Sequence, residues 1–192
     1  MAKYYCFYCI MHGSGYNNCF EKIRCKSRRC FAEQRYGQRT AAQVIANGSI
    51  AAILSLLSFL SAHQQPLLLL MVACSLSSAT ADTLSSELGN VYGKKFYNIV
   101  NFKKDVRGLN GAVSFEGTMI GITGSILIAL IYTVPAGFTI DFLWIVIAGT
   151  IGNLTDSVLG ATLERKHILN NDAVNFLNTL TAALAGLMLY YF

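Results

Sequence analysis

PLLLLMVACSLSSATADTLSSELG, residues 66–89, decides the fold. It begins as an apolar run behind Pro66 and ends in a polar, acidic stretch, ATADTLSSELG (79–89), that holds Asp82 and Glu87. Read as one helix, Ser75, Ser78, Asp82 and Ser85 recur at steps of three and four and share a face. At 1.5 Å per residue the run is long enough to cross a hydrocarbon core of roughly 30 Å. A carboxylate at that depth is costly unless it faces protein, water or an ion. Asp82 is therefore read as a functional group, and the rest of the chain is weighed by whether it converges on it.

Composition agrees with a membrane chain. Hydrophobic residues make up 54% of the 192 and charged residues 13%, with a mean hydropathy of +0.45. An ordinary soluble domain is excluded. The net charge of +5 is assigned to membrane topology rather than to a nucleic-acid partner. Four more apolar segments, near residues 41–61, 117–134, 142–163 and 172–192, join the one at 66–88. The fold class is all-α: a polytopic membrane helix bundle of about five transmembrane helices, formed by residues 36–192.

Residues 1–35 form a different kind of segment, basic and rich in cysteine, with Cys6, Cys9, Cys19, Cys25 and Cys30. Cys6-x-x-Cys9 has no second C-x-x-C behind it, which argues against zinc. A poorly ordered arm on the reducing side of the membrane is expected.

Charge orients the bundle. The connections 62–66 and 135–141 contain no Lys or Arg, whereas the others carry Lys94, Lys95, Lys103, Lys104 and Arg107, then Arg165 and Lys166. The positive-inside rule makes that side cytoplasmic, with the amino terminus inside and Phe192 outside. The expected location is a membrane, multi-pass, and the plasma or inner membrane in a bacterium. Asp141 falls outside, while Asp82, Glu87, Asp156, Glu164 and Asp172 lie at or beneath the cytoplasmic face. Asp82 and Asp156 both sit roughly 10 Å below it.

Several patterns then converge. Thr80-x-Asp82-Thr83 is echoed by Thr155-Asp156-Ser157, and Gly149, Gly152, Asn153, Asp156 and Gly160 share a face that another backbone or a phosphate can approach. Gly117, Gly121 and Ser125 make a packing face of small residues. Asn171 or Asp172 is expected to cap the fifth helix, with Asp172, Asn175 and Thr179 on one side of it. Gln43 and Asn47 stand four apart near the cytoplasmic end of the first, placed for interhelical hydrogen bonds. Gly108, Asn110 and Gly111 predict a tight turn beside Arg107, Lys103 and Lys104, whose amides suit phosphate oxygens; contact with anionic headgroups is the competing reading.

Magnesium usually binds through one or two carboxylates plus substrate phosphates, so Asp82 and Asp156 are the expected metal pair, supported by Glu87. That predicts phosphoryl or nucleotidyl transfer to a membrane-embedded acceptor by positioning and charge neutralisation. His12, His63 and His167 lie outside the carboxylate clusters, so no nucleophile–histidine triad is indicated.

GQRTAAQVIANG (37–48), ATADTLSSELG (79–89), GLNGAVSFEGT (108–118), GNLTDSVLGATLE (152–164) and NNDAVNFLNTL (170–180) together resemble the membrane family called domain of unknown function 92. The family takes in transmembrane protein 19 and a plant phytyl-phosphate kinase branch. The resemblance implies transfer of a phosphoryl group from a nucleoside triphosphate such as CTP to an isoprenyl monophosphate. Family members usually carry further hydrophobic helices before the GQRT-like motif, so the chain is expected to be an amino-terminally truncated member. Leu109 stands where the family more often has Thr. In this reading Arg107, Gly108, Asn110, Gly111 and Ser114 meet the nucleotide, Asp172 and Asn175 position the acceptor phosphate, and Asn47, Ser85 and Ser157 line the substrate site. Association into a homo-oligomer is compatible with it. The alternatives are an ion-coupled transporter or a non-catalytic membrane protein using the same carboxylates.

Overall fold

The computed structural model describes residues 40–192; the expected arm at 1–35 lies outside the described residues. Five helices follow in order: α1 (Ala41–Leu60), α2 (Gln65–Tyr92), α3 (Phe115–Ala136), α4 (Asp141–Leu159) and α5 (Asn171–Tyr190). All five are long and apolar enough to cross a membrane. A short 3₁₀ turn, Ala62–Gln64, joins α1 to α2, and a π-turn, Gly160–Glu164, extends α4. The loop between α2 and α3 holds a small antiparallel pair, β1 (Tyr97–Asn98) with β2 (Ala112–Val113).

The stretch 66–89 forms the centre of the bundle. α2 packs against each of the other four helices, and α3, α4, α5 and α1 follow one another round it. It also runs to Tyr92, four residues beyond its expected end. Pro66 sits in the first turn of α2, where a missing N–H costs nothing. Gly93 follows at the other end, its N–H closing on the Gly89 carbonyl at 2.8 Å.

Lipid offers no hydrophobic gain for joining helices, so the interior is built from small and polar residues instead. Ser75, Ser77, Ser78, Ser125, Asn178 and Thr179 are all fully buried. Many large apolar side chains face outwards, Phe59 84% and Val134 86% exposed, while Leu70, Ile145 and Val174 are buried. Gly117 and Gly121 of α3 lie against α2, as the small-residue spacing predicts. A Cβ placed on Gly89 would come within 2.7 Å of the Gly117 Cα, so the two backbones cross with no room for a methyl group. Gly89→Ala is accordingly expected to destabilise the bundle by about 1–3 kcal/mol, because backbone rather than a mobile side chain must yield. Gly48→Ala, whose Cβ meets nothing within 4 Å, is the control. Unfolding midpoints in detergent compare the two.

Local sequence explains the helix starts. Thr40 and Gln43 form a reciprocal capping box: Gln43 N–H donates to Thr40 Oγ1 at 3.3 Å, and Thr40 N–H donates to Gln43 Oε1 at 3.1 Å. Gln43 is therefore a capping group, not the interhelical partner expected of it. Asn170 caps α5, accepting from Ala173 N–H at 2.9 Å. The cap thus lies one residue before Asn171 and two before Asp172, the two expected: Asn171 opens the helix, and Asp172 lies in its first turn, where a carboxylate suits the dipole.

Candidate functional site

α2 and α4 run in the same direction, since Ser77 Oγ donates to the Ile145 carbonyl at 3.2 Å and Ser85 Oγ to Asn153 Oδ1 at 3.0 Å. Between these two contacts Gly152 lies against Ser78, whose hydroxyl occupies the space a Cβ would need. Asp82 is four residues past Ser78, and Asp156 four past Gly152. Each aspartate thus lies one turn beyond this close approach, along the stripe that makes it. Both are half-buried. Ser85, the next turn of α2, binds Asn153 and also donates to the Asp82 carbonyl at 3.1 Å.

α5 closes the third side. Asn178 Nδ2 donates to Asp156 Oδ1 at 2.9 Å, and Ser78 Oγ donates to the Asn178 side-chain oxygen at 3.4 Å. One amide thereby links α2, α4 and α5 at the aspartate. Asn175, one turn nearer the start of α5, is also buried. Asn178 is not among the residues that the sequence pattern singles out in α5, and Asn153 stands outside the expected site although it shares the quoted glycine face.

The 93–114 loop reaches the same region. Gly108 and Gly111 have φ of 79° and 69°, the left-handed region that the glycine turn predicts. A Cβ on Gly111 would run into the Ser157 carbonyl and the Ala161 backbone, and one on Gly160 would come within 3.1 Å of the Gly111 amide. The loop therefore lies directly on the end of α4, beside Ser157 and one residue along from Asp156. The π-turn shapes this seat: the Arg165 N–H bonds back to the Gly160 carbonyl at 3.2 Å, widening the turn under the loop.

Arg165 fastens the loop from above. Its Nε donates to the Asn110 carbonyl, and a terminal nitrogen donates to the Asp105 carboxylate as an ion pair. Asp105 also accepts from Val106 N–H at 2.8 Å and from the Asn98 amide at 3.4 Å. Burial pushes the Asp105 carboxyl up, but Arg165, the Val106 amide and Asn98 outweigh it and hold the group below its ordinary value. A depressed carboxyl stabilises the fold above its unfolded pKa of about 3.9 and loses that contribution as pH falls through the folded value. The difference in unfolding midpoint between wild type and Asp105→Asn is expected to be flat from about pH 5 to 8 and to shrink below about pH 4.

Other sequence-assigned residues take plainer places. Ser114 is buried and caps α3, accepting from Gly117 N–H at 3.1 Å, so its hydroxyl is committed to the helix. Ser157 Oγ donates back to the Asn153 carbonyl at 3.3 Å. Glu87 is exposed, about 140° round α2 from Asp82. Arg107 is exposed at the loop. Asn47 lies one turn from Ile50, which packs with Leu68, Met71 and Ala183. Its Oδ1 is buried with no hydrogen-bond partner among the described residues, as are the hydroxyls of Ser75 and Ser125. No group of three or more His, Cys, Asp or Glu comes together among the described residues.

Residues 8–183 match the family described as integral membrane protein DUF92. The chain belongs to this family. The match begins at residue 8, so it takes in most of the cysteine-rich stretch, ahead of GQRTAAQVIANG, the first of the resembling motifs. An uncharacterised membrane protein of Methanocaldococcus jannaschii is 35% identical over 152 residues, 79% of this chain and 63% of its own. The chloroplast protein VTE6 of Arabidopsis thaliana is 33% identical over 178 residues, covering 89% of this chain and 54% of its own. An uncharacterised membrane protein of Synechocystis is 36% identical over 158 residues, 80% and 61% of the two chains. The chain thus spans between 54% and 63% of the length of these relatives. No solved structure matches.

Proposed function

We propose that this multi-pass membrane protein of the DUF92 family is a polyprenyl-phosphate kinase, transferring a phosphoryl group from a nucleoside triphosphate, CTP first among them, to a phytyl-like monophosphate at the cytoplasmic face. The observation that carries it is the meeting of two aspartate-bearing stripes of α2 and α4 beneath a glycine-turn loop with basic flanks. The phytyl-phosphate kinase branch that the sequence motifs resemble supplies the reaction, and the similarity to the plant protein VTE6 is consistent with it.

The donor set suits magnesium: Asp82 and Asp156 offer hard carboxylate oxygens, and two such ligands suffice where substrate phosphates complete the shell. Bound with the nucleotide, the ion would neutralise charge on the transferring group. The chain's own residues do the rest. Asn178 holds the Asp156 carboxylate in one orientation. The amides of Gly108, Asn110 and Gly111, with Arg107 beside them, receive the nucleotide phosphates, while Asp172, Asn175 and Asn47 border the acceptor. The attacking oxygen of a monophosphate is already ionised, so no general base is needed and no proton moves; the new P–O bond forms as the bond to the departing nucleoside diphosphate breaks.

Purified protein supplied with magnesium, each of CTP, ATP, GTP and UTP, and phytyl or geranylgeranyl monophosphate is expected to yield the corresponding diphosphate. No product with any nucleotide across several prenyl chains sinks the reading. The buried oxygens of Asn47, Ser75 and Ser125 that lack partners among the described residues favour a second reading, ion-coupled transport through the same interior. Ion flux in vesicles that needs no nucleotide and disappears in Asp82→Asn would replace the first by the second.

A further inference from the structure

Arg165 directs its charge at the loop. The guanidinium is a rigid fork, and among the described residues its side-chain hydrogen bonds both go to that loop: to the Asn110 carbonyl and the Asp105 carboxylate. Asp105 is itself tied to the start of the loop, through Asn98 and through its own N–H on the Phe96 carbonyl at 2.9 Å. The small sheet adds a second tie, with Ile99 N–H on the Gly111 carbonyl at 3.1 Å. Beneath, Gly111 and Gly160 let the chain rest on Ser157 and Ala161. The amides of Gly108, Asn110 and Gly111 donate to no backbone carbonyl among the described residues, so the turn is held without using them.

We infer that Arg165 is a positioning residue: through Asp105 and Asn110 it holds the Gly108–Gly111 amides beside Asp156, where they receive the phosphates of the nucleotide. The inference rests on the phosphoryl-transfer reading and deepens it. Arg165 touches no phosphate itself. Its loss leaves every phosphate contact chemically intact and frees the backbone that presents them. Lysine cannot replace it, since an ammonium is a point charge that does not span a carbonyl and a carboxylate in one plane.

Amide hydrogen exchange over residues 97–113 of the full chain in detergent, with and without magnesium and CTP, tests the inference. Wild type is expected to gain protection across 108–112 when CTP binds. In Arg165→Lys, and separately in Asp105→Asn, exchange of the loop without nucleotide is expected to rise about 10-fold or more, and half-protection by CTP to need about 10 times the concentration. Exchange in α4 and α5 stays at the wild-type rate, which separates a loosened loop from a misfolded bundle. The KM for CTP rises with it, while kcat at saturating CTP stays within about threefold. Loop exchange equal in wild type and both variants overturns the inference. So does a loosened loop whose CTP titration is unchanged, which would make Arg165 structural only. Absence of wild-type protection by CTP, ATP, GTP or UTP overturns the phosphoryl-transfer reading and this inference with it. Normal wild-type protection with unaltered variants sinks the inference alone.

Discussion

Asp156→Asn is expected to lower phosphoryl transfer by on the order of 10²–10³-fold, or about 3–4 kcal/mol of transition-state stabilisation, without unfolding the protein. The substitution keeps the shape of the side chain and leaves an oxygen that accepts from Asn178 Nδ2, the bond now made at 2.9 Å. The tie between α4 and α5 therefore survives the loss of the charge. Unfolding midpoints report separately what loss of the charge costs the fold. Initial rates at saturating acceptor, followed against magnesium concentration, separate the two effects. Asp82→Asn should behave alike, because Asp82 stands one turn beyond the same Ser78–Gly152 contact on the facing helix. Retention of more than about a tenth of the activity by either variant removes that aspartate from a charge-neutralising role. Asn178→Leu is the contrasting case. It withdraws the donor from Asp156 and the acceptor from Ser78, so its loss of activity comes with lost stability.

The bundle was largely legible in the sequence because its signal is composition over long windows. Twenty-odd apolar residues have few alternatives in lipid, and small residues at four-residue spacing can only mean close helix contact. The aspartate stripes were legible for the same reason: a helix of fixed period places Ser78, Asp82 and Ser85 on one side whatever it packs against. What pattern could not supply was the partner across each seam. Nothing in the spacing of 170–180 says that Asn178, and not Asn175, reaches Asp156. Asp105 escaped notice because a carboxylate between Lys104 and Arg107 reads as solvated loop, and Arg165 because a basic residue at a helix end is already explained by topology. Their pairing spans 60 residues and depends on a π-turn that no local motif announces. Gln43 and Asn170 failed in a smaller way. Cap identity hangs on a single residue's backbone angle, and a neighbouring Asn or Asp serves the pattern equally well.

Gly111→Val is expected to abolish the docking of the loop while leaving the five helices in place. Two costs combine at this position. The backbone has φ of 69°, where a β-branched residue carries roughly 1–2 kcal/mol of strain. The added Cβ also collides with the Ser157 carbonyl and with the backbone and Cβ of Ala161, which belong to a continuous helix and cannot retreat. The loop must lift, and lifting it pulls Asn110 and Asp105 away from Arg165, so the ion pair fails with the turn. Loss of activity of at least about 100-fold is expected, from amides no longer fixed beside Asp156. Gly137→Val supplies the control for backbone strain: its φ is 82°, but a Cβ there meets nothing within 4 Å. The ψ of 166° at Gly137 makes that position at least as hostile to a β-branched residue. If strain alone mattered, Gly137→Val would lose at least as much stability and Gly111→Val would not lose transfer selectively. Loop exchange raised in Gly111→Val only, together with lost transfer and unchanged exchange in α2, α4 and α5, is the result that ties the glycine turn to the site rather than to the fold. Full activity in Gly111→Val would show that the loop need not rest on α4 for the chemistry, and the phosphates would then have to be held by α2, α4 and α5 alone.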